Sequence, residues 1–432
     1  MVKIPIATLV LLATIARADT NTLTLAEAKR LAFQRNWDLL AAKSGIDAAA
    51  AQLIVAKEFP NPTTSLSTFK IGTHEASTSL GNGLWERSYD TIAAVNQLVE
   101  IGGKRSNRQE AGRAGVVGAR ARFLDAKRTL DQGVTKAYAS ALLATENARI
   151  LNDSAGYMRR EAEIGDIRLK AGDLSDADFK QILIAVEQFE LQAKAAEAAA
   201  SQSRISVEIL MGVTQPKGDW TPADNLEQMD VVASPAIEAK PGAERPDVLA
   251  AETDLRGAQA QLKLQRAIRI PDPTFSVGYE HEPPGGGPPV DTFNIGVSFP
   301  LPLWNRNGGN IKAAAAAVDQ SALVLAKIKA QSVSDLANAE VAYTEASKRL
   351  ERYQNEIRPQ SAKVRESVAF AFEKGGASLV DLLEAERTDN DVRIATAQAM
   401  SDTASAVADL IASRNAISET TFVDEEPERK KP

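Results

Sequence analysis

The chain has 432 residues, no cysteine, and 50 basic against 57 acidic side chains, a formal charge of −7. Without thiols there is no structural disulfide, no thiolate metal site and no cysteine in this sequence to carry a lipid, and the acidic balance argues against a nucleic-acid partner, which needs a basic stripe. Hydrophobic residues reach 44% but aromatics only 5%, which suits closely packed helices better than a thick globular core.

Lys3 precedes a mostly apolar run from Ile4 to Ile15, followed by Ala16-Arg17-Ala18. A short hydrophobic region closed by small residues reads as a secretory signal over 1–18. Removing it with Lys3 and Arg17 leaves 48 basic against 57 acidic groups, or −9. No later stretch approaches the roughly 18 apolar residues of a spanning helix, so a mature protein in a membrane is expected to enter it as a closed β-barrel.

Along the chain, one plan occurs twice. Phe59-Pro60-Asn61-Pro62-Thr63 returns as Ile270-Pro271-Asp272-Pro273-Thr274, displaced by 211. Asp90-Thr91 returns as Asp291-Thr292, and Lys104-Arg105 sits opposite Asn305-Arg306, both displaced by 201. Gly172-x-x-Ser175-x-x-Asp178 returns as Gly375-x-x-Ser378-x-x-Asp381, displaced by 203. The fall of ten lies between strand candidates, where loop length is free to vary. The spacing predicts a first repeat over 19–211, a connector over 212–243 rich in Pro, Gly and Asp, a second repeat over 244–416, and a charged, disordered tail over 417–432.

Each repeat reads helix, strand hairpin, very long helix, turn, helix. The first hairpin, 62–71 with 90–99, alternates poorly and is legible only through the repeat. In the second, Phe275, Val277 and Tyr279, then Phe293, Ile295, Val297 and Phe299, alternate with small or polar residues. That period of two marks strands with one apolar face. Residues 273–282 and 291–300 are near the 9–11 needed for a tilted membrane strand, and Pro283-Pro284-Gly285-Gly286-Gly287-Pro288-Pro289 between them is a turn. The long helices, 105–171 and 308–374, would rise about 100 Å each. Leu130, Val134, Ala137, Ala141, Ala144, Ala148 and Leu151 step by three and four, as do Leu336, Ala339, Tyr343, Ala346, Leu350, Tyr353 and Ile357. Such a seam is that of a coiled coil, with alanines admitting close helix axes. Pro359 and its repeat partner Gly156 weaken the helices, and a kink is expected there.

Four strands cannot close a barrel, for which about eight is the smallest useful number. Several copies must share one, and three copies would give twelve strands. At this point the chain resembles the TolC-like outer membrane efflux proteins over essentially its whole mature length. The residues carrying the resemblance are the two Pro-x-Pro segments, Gln97-Leu98-Val99-Glu100-Ile101-Gly102-Gly103-Lys104-Arg105, and the two Gly-x-x-Ser-x-x-Asp turns. The Gln97–Arg105 segment is most similar to the cobalt-zinc-cadmium heavy-metal branch.

The resemblance implies a mainly α fold with a small membrane β part. Long coiled-coil helices would form an α-helical barrel continuous with a twelve-stranded β-barrel shared by a homotrimer, each protomer giving four strands. It implies an exit duct in outer-membrane lipid, working with a periplasmic adaptor (membrane fusion) protein and an inner-membrane pump of the resistance-nodulation-division kind. Adaptor contacts would fall at the helix tips, Lys170–Asp178 and Glu373–Asp381, with Gly172, Ser175, Asp178, Gly375 and Ser378 at their centre. Without the family these are simply helix ends, the glycines at C-termini and the serines at N-caps. Asp381 and Glu384 match the family's acidic periplasmic aperture, where a trimer would set two rings of three carboxylates. The bland reading is a solvated acidic face. Where the family can carry an arginine near this tip, Ala377 stands, so the restraint on the gate must differ.

His74 and His281, the two histidines, read as exposed loop residues rather than a metal site. No nucleophile elbow, phosphate loop or acid–base set appears, so no enzyme activity, catalytic residue, cofactor or resident metal is expected. A drug or polypeptide duct is the neighbouring reading. A soluble coiled-coil adaptor is the competing class, though adaptors carry one helical hairpin and this chain repeats hairpin and strands twice.

Overall fold

The computed structural model describes residues 22–69, 90–229, 244–282 and 290–415. The expected signal over 1–18, His74, the glycine turn at 285–287 and the tail after 417 lie outside them. In chain order come β1 (Thr22–Leu23), α1 (Leu25–Arg35), α2 (Trp37–Lys57), β2 (Thr63–Phe69), β3 (Asp90–Leu98), α3 (Lys104–Ala171), α4 (Asp176–Leu210) and β4 (Thr221–Pro222). A single 3-10 turn follows at Leu226–Gln228, then α5 (Pro246–Ala267), β5 (Thr274–Glu282), β6 (Val290–Ser298) and α6 (Gly308–Arg352). A π-helical turn at Tyr353–Ile357 leads into α7 (Arg358–Glu373), and α8 (Leu379–Ser413) ends the order. The described residues within 38–127 and 242–336 form one compact unit, and those within 1–37, 128–241 and 337–432 form another.

The first of these holds the sheet. Its strands run β2-β3-β5-β6, every neighbour antiparallel. Register fixes the faces, because side chains alternate with a period of two. One face carries Leu66, Val95, Val277, Phe293, Ile295 and Val297, all half or more exposed. The other carries Ser65, Asn96, Ser276, Glu280, Asn294 and Ser298. The poorly alternating first hairpin therefore pairs from Thr63–Phe69 to residues 90–96, and β2 is mostly Ser and Thr, with Leu66 adding bulk to the apolar face.

The segments singled out in the sequence anchor this sheet. The Pro273 carbonyl accepts from Val99 N–H at 3.0 Å, and the Pro60 carbonyl from Gln97 Nε2 at 3.0 Å. Gly102 and Gly103 turn the chain at φ 71° and 76°, a region costly for side-chain-bearing residues. That turn seats Lys104, only 6% exposed, against Asp272 at 2.6 Å. Arg108 grips Glu100 through its two terminal guanidinium nitrogens, at 2.6 and 2.9 Å. A buried lysine persists only when paired, so the short motif is explained by one turn and two ion pairs.

The other unit is built from helices. Thr24 caps α1, and β1 pairs in parallel with β4. Tyr138, fully buried, donates to the Leu23 carbonyl at 2.7 Å and stacks on Trp220 at 5.9 Å. The connector is thus partly regular near its start, while residues 230–243 lie outside the description. Every residue of the two expected seams is buried or half-buried.

Three expectations change. First, α3 runs unbroken through Gly156, whereas the second long helix is interrupted at the π turn. Pro359 lacks an N–H and its ring collides with the carbonyl four residues earlier, so the ladder shifts by one residue; glycine has neither defect. Second, α2 is, by length and composition alone, apolar enough to cross a membrane, with 11% of that window buried, although Asp38, Lys43 and Asp47 lie along it. Its alanines raise hydropathy without bulk, which a search for long aliphatic runs passes over. Third, His281 lies on β5, with its side chain 13% exposed and its Nδ1 2.8 Å from Asp291. It is a paired strand residue rather than a loop residue.

Candidate functional site

The two turns Gly-x-x-Ser-x-x-Asp have the same physical construction. Gly172 ends α3 at φ 84°, donating to the Leu169 carbonyl at 3.1 Å, and Asp173 N–H reaches back to Arg168 at 2.9 Å. Gly375 ends α7 at φ 76°, donating to Phe372 at 3.0 Å, with Gly376 N–H on Ala371 at 2.8 Å. These are left-handed helix stops satisfying the last carbonyls. Ser175 and Ser378 then cap the returning helices. Ser378 Oγ accepts from Asp381 N–H at 3.2 Å while the Asp381 carboxylate accepts from Ser378 N–H at 3.0 Å and from its hydroxyl at 2.7 Å, a complete capping box. Ser175 and Asp178 share two of these bonds, at 3.0 and 2.7 Å.

Asp381 and Glu384 are both exposed, on the outward side of α8's first turns. Hydrogen bonds from the Ser378 side chain and then its backbone hold the Asp381 carboxyl below the ordinary range. It stays ionised, tied to the cap. Leu379 and Leu382 face the other way, into a cluster with Phe372, Met158, Ile182 and Phe189, and Ala377 packs at its margin. The structure therefore places all seven singled-out tip residues at the two turns and brings the carboxylates to one side of α8.

What the sequence reading passed over lies two turns further along α8. Glu386 is 3% and Asp389 6% exposed. Arg365 Nη1 lies 3.4 Å from Glu386 Oε1, and its Nε lies 3.4 Å from Asp389 Oδ2 without hydrogen-bond geometry. Ser361 donates to Asp389 at 2.5 Å, and the guanidinium stands 5.7 Å over the Tyr157 ring. Ser154 and Asn390, both buried, hydrogen-bond beside it. The signal was present: Leu379, Leu382, Glu386, Asp389 and Arg393 step by three and four, so acids occupy positions of an apolar seam. Among the described residues no group of three or more His, Asp or Glu is arranged to hold a metal ion.

The family model for outer membrane efflux protein matches residues 29–213 and 242–416. The cobalt-zinc-cadmium resistance protein CzcC of Cupriavidus metallidurans is 26% identical over 380 residues, 88% of this chain and 86% of that protein. The nickel and cobalt resistance protein CnrC of the same organism is 28% identical over 313 residues, 70% of each. The crystal structure of the Campylobacter jejuni CmeC outer membrane channel superposes with a TM-score of 0.74 at 18% identity, covering 91% of this chain and 85% of that one. With two matched stretches covering most of its length, this chain belongs to the outer membrane efflux protein family.

Proposed function

We propose that three copies of this chain form the outer-membrane exit duct of a tripartite efflux assembly, passively passing heavy-metal cations outward. The observation that carries the reading is the four-stranded sheet, its second hairpin apolar on one face and polar on the other, with β2 and β6 at its open ends. Such a sheet meets lipid on one side and a wet lumen on the other only when its ends are joined to further strands, and three copies supply twelve. Kinship with metal-resistance proteins supports the cargo. In this reading residues 1–18 direct export, Gly172, Ser175, Asp178, Gly375 and Ser378 shape the tips that a periplasmic adaptor grips, and a resistance-nodulation-division pump supplies the energy. Asp381 and Glu384 ring the periplasmic aperture, where crowded carboxylates favour cations.

Fractionation and planar-bilayer recording test it. The purified protein should be an outer-membrane trimer forming cation-selective pores, and Asp381→Ala with Glu384→Ala should raise conductance or weaken cation preference. A soluble monomer overturns the duct, and unchanged currents in the double variant overturn the aperture assignment.

A further inference from the structure

Around Arg365 the charges do not balance. The groups facing Glu386 are Arg365 from α7, Asp389 from its own helix, and Tyr157 and Glu161 from α3. Glu373, on α7, acts in turn on Glu161. From α4 come Ile182, Ala185, Val186 and Phe189, which offer no charge. One guanidinium, its side chain 29% exposed, thus faces two buried carboxylates through ion pairs that are both long at 3.4 Å, while Glu161, hydrogen-bonded to Tyr157, adds a third negative charge near Glu386. A buried charge without a matching partner is disfavoured, and a carboxylate so placed takes up a proton instead.

We propose that Arg365, Glu386 and Asp389, with Glu161, form a proton-linked latch that holds α7 against α8 just above the tip. With a proton taken from solvent onto the carboxylate cluster, the remaining negative charge is matched more closely by Arg365 and the helices pack. When that proton returns to solvent, repulsion among Glu161, Glu386 and Asp389 loosens the hairpin. Burial, outweighing the pull of Arg365, holds the Glu386 carboxyl above the ordinary value of 4.5, and burial also raises Glu161. A raised carboxyl means that the packed state binds the proton more tightly than the loosened one. Packing is therefore strongest below the ordinary value and is lost as pH climbs through the raised one.

Hydrogen exchange on the full-length assembled protein, corrected for the intrinsic pH dependence of exchange, reads the latch directly. Between about pH 5 and about pH 8, peptides covering 358–393 should lose protection about tenfold for each unit by which the packed-state carboxyl is displaced. Peptides covering 128–150 should not. Glu386→Gln, which keeps shape and needs no proton, should flatten the slope at the low-pH level of protection. Should that variant fail to fold, Asp389→Asn should make the slope shallower. A flat wild-type profile, or a slope unchanged in the variant that folds, overturns the proposal. Conductance plays no part in this readout, so a failure of the duct reading leaves it decidable.

Discussion

Gly212, just past α4, sits at φ 75°, and a Cβ there would collide with the Arg35 carbonyl. Gly212→Ala meets both an unfavourable backbone region and a backbone clash, and is expected to cost about 1–3 kcal/mol. A lower denaturation midpoint at unchanged slope would show it; an unmoved midpoint would contradict the strain. At this scale the sequence was legible wherever one residue type has one job. Gly172, Gly375, Ser175 and Ser378 stop and restart helices, and their spacing announces it. Asp381 was harder, because a carboxylate three residues after serine is a cap as readily as a gate, and the capping box occupies it. Glu386 was missed because acids are assigned to wet faces by type, whereas its position in the three-and-four step belongs to the interior. Position won.

The π turn at Tyr353–Ile357 inserts one residue into an otherwise regular helix, and Pro359 is its local cause. Removing both disturbances together should leave α7 in phase. Deleting Asn355 in a Pro359→Ala background is expected to yield one continuous α-helix and to raise stability by up to about 3 kcal/mol, since proline in a helix interior costs about that much. A lower thermal midpoint would show that the bulge is required. Deleting Asn355 alone leaves the proline clash and should not stabilise. Among elements, the long helices and the second hairpin were plain in the sequence because their periods, 3.5 and two, differ sharply. The first hairpin was not, since β2 alternates serine and threonine with little apolar contrast. Only its kinship to the second hairpin exposed it. The apolar character of α2 was hidden in alanines.

For the whole molecule, the two faces of the sheet make opposite predictions. Ile295, 84% exposed on the apolar face, should not tolerate charge if that face meets lipid. Ile295→Arg is expected to cost about 2–4 kcal/mol at mid-membrane and to reduce the membrane-embedded trimer. Thr292→Arg, on the polar face, should assemble normally. Gel analysis of unheated outer-membrane fractions reads both, and equal yields would remove the distinction between faces.

The order β2-β3-β5-β6 leaves a row of backbone donors and acceptors along each end strand. A solitary subunit would carry two adhesive borders, able to zip onto any passing extended chain. In the proposed duct, hazard and purpose have the same origin: borders that only sister borders satisfy safely would make oligomerisation and lipid entry a single event. A cell making such a duct would have to keep new copies escorted, or bring them together faster than they can meet anything else.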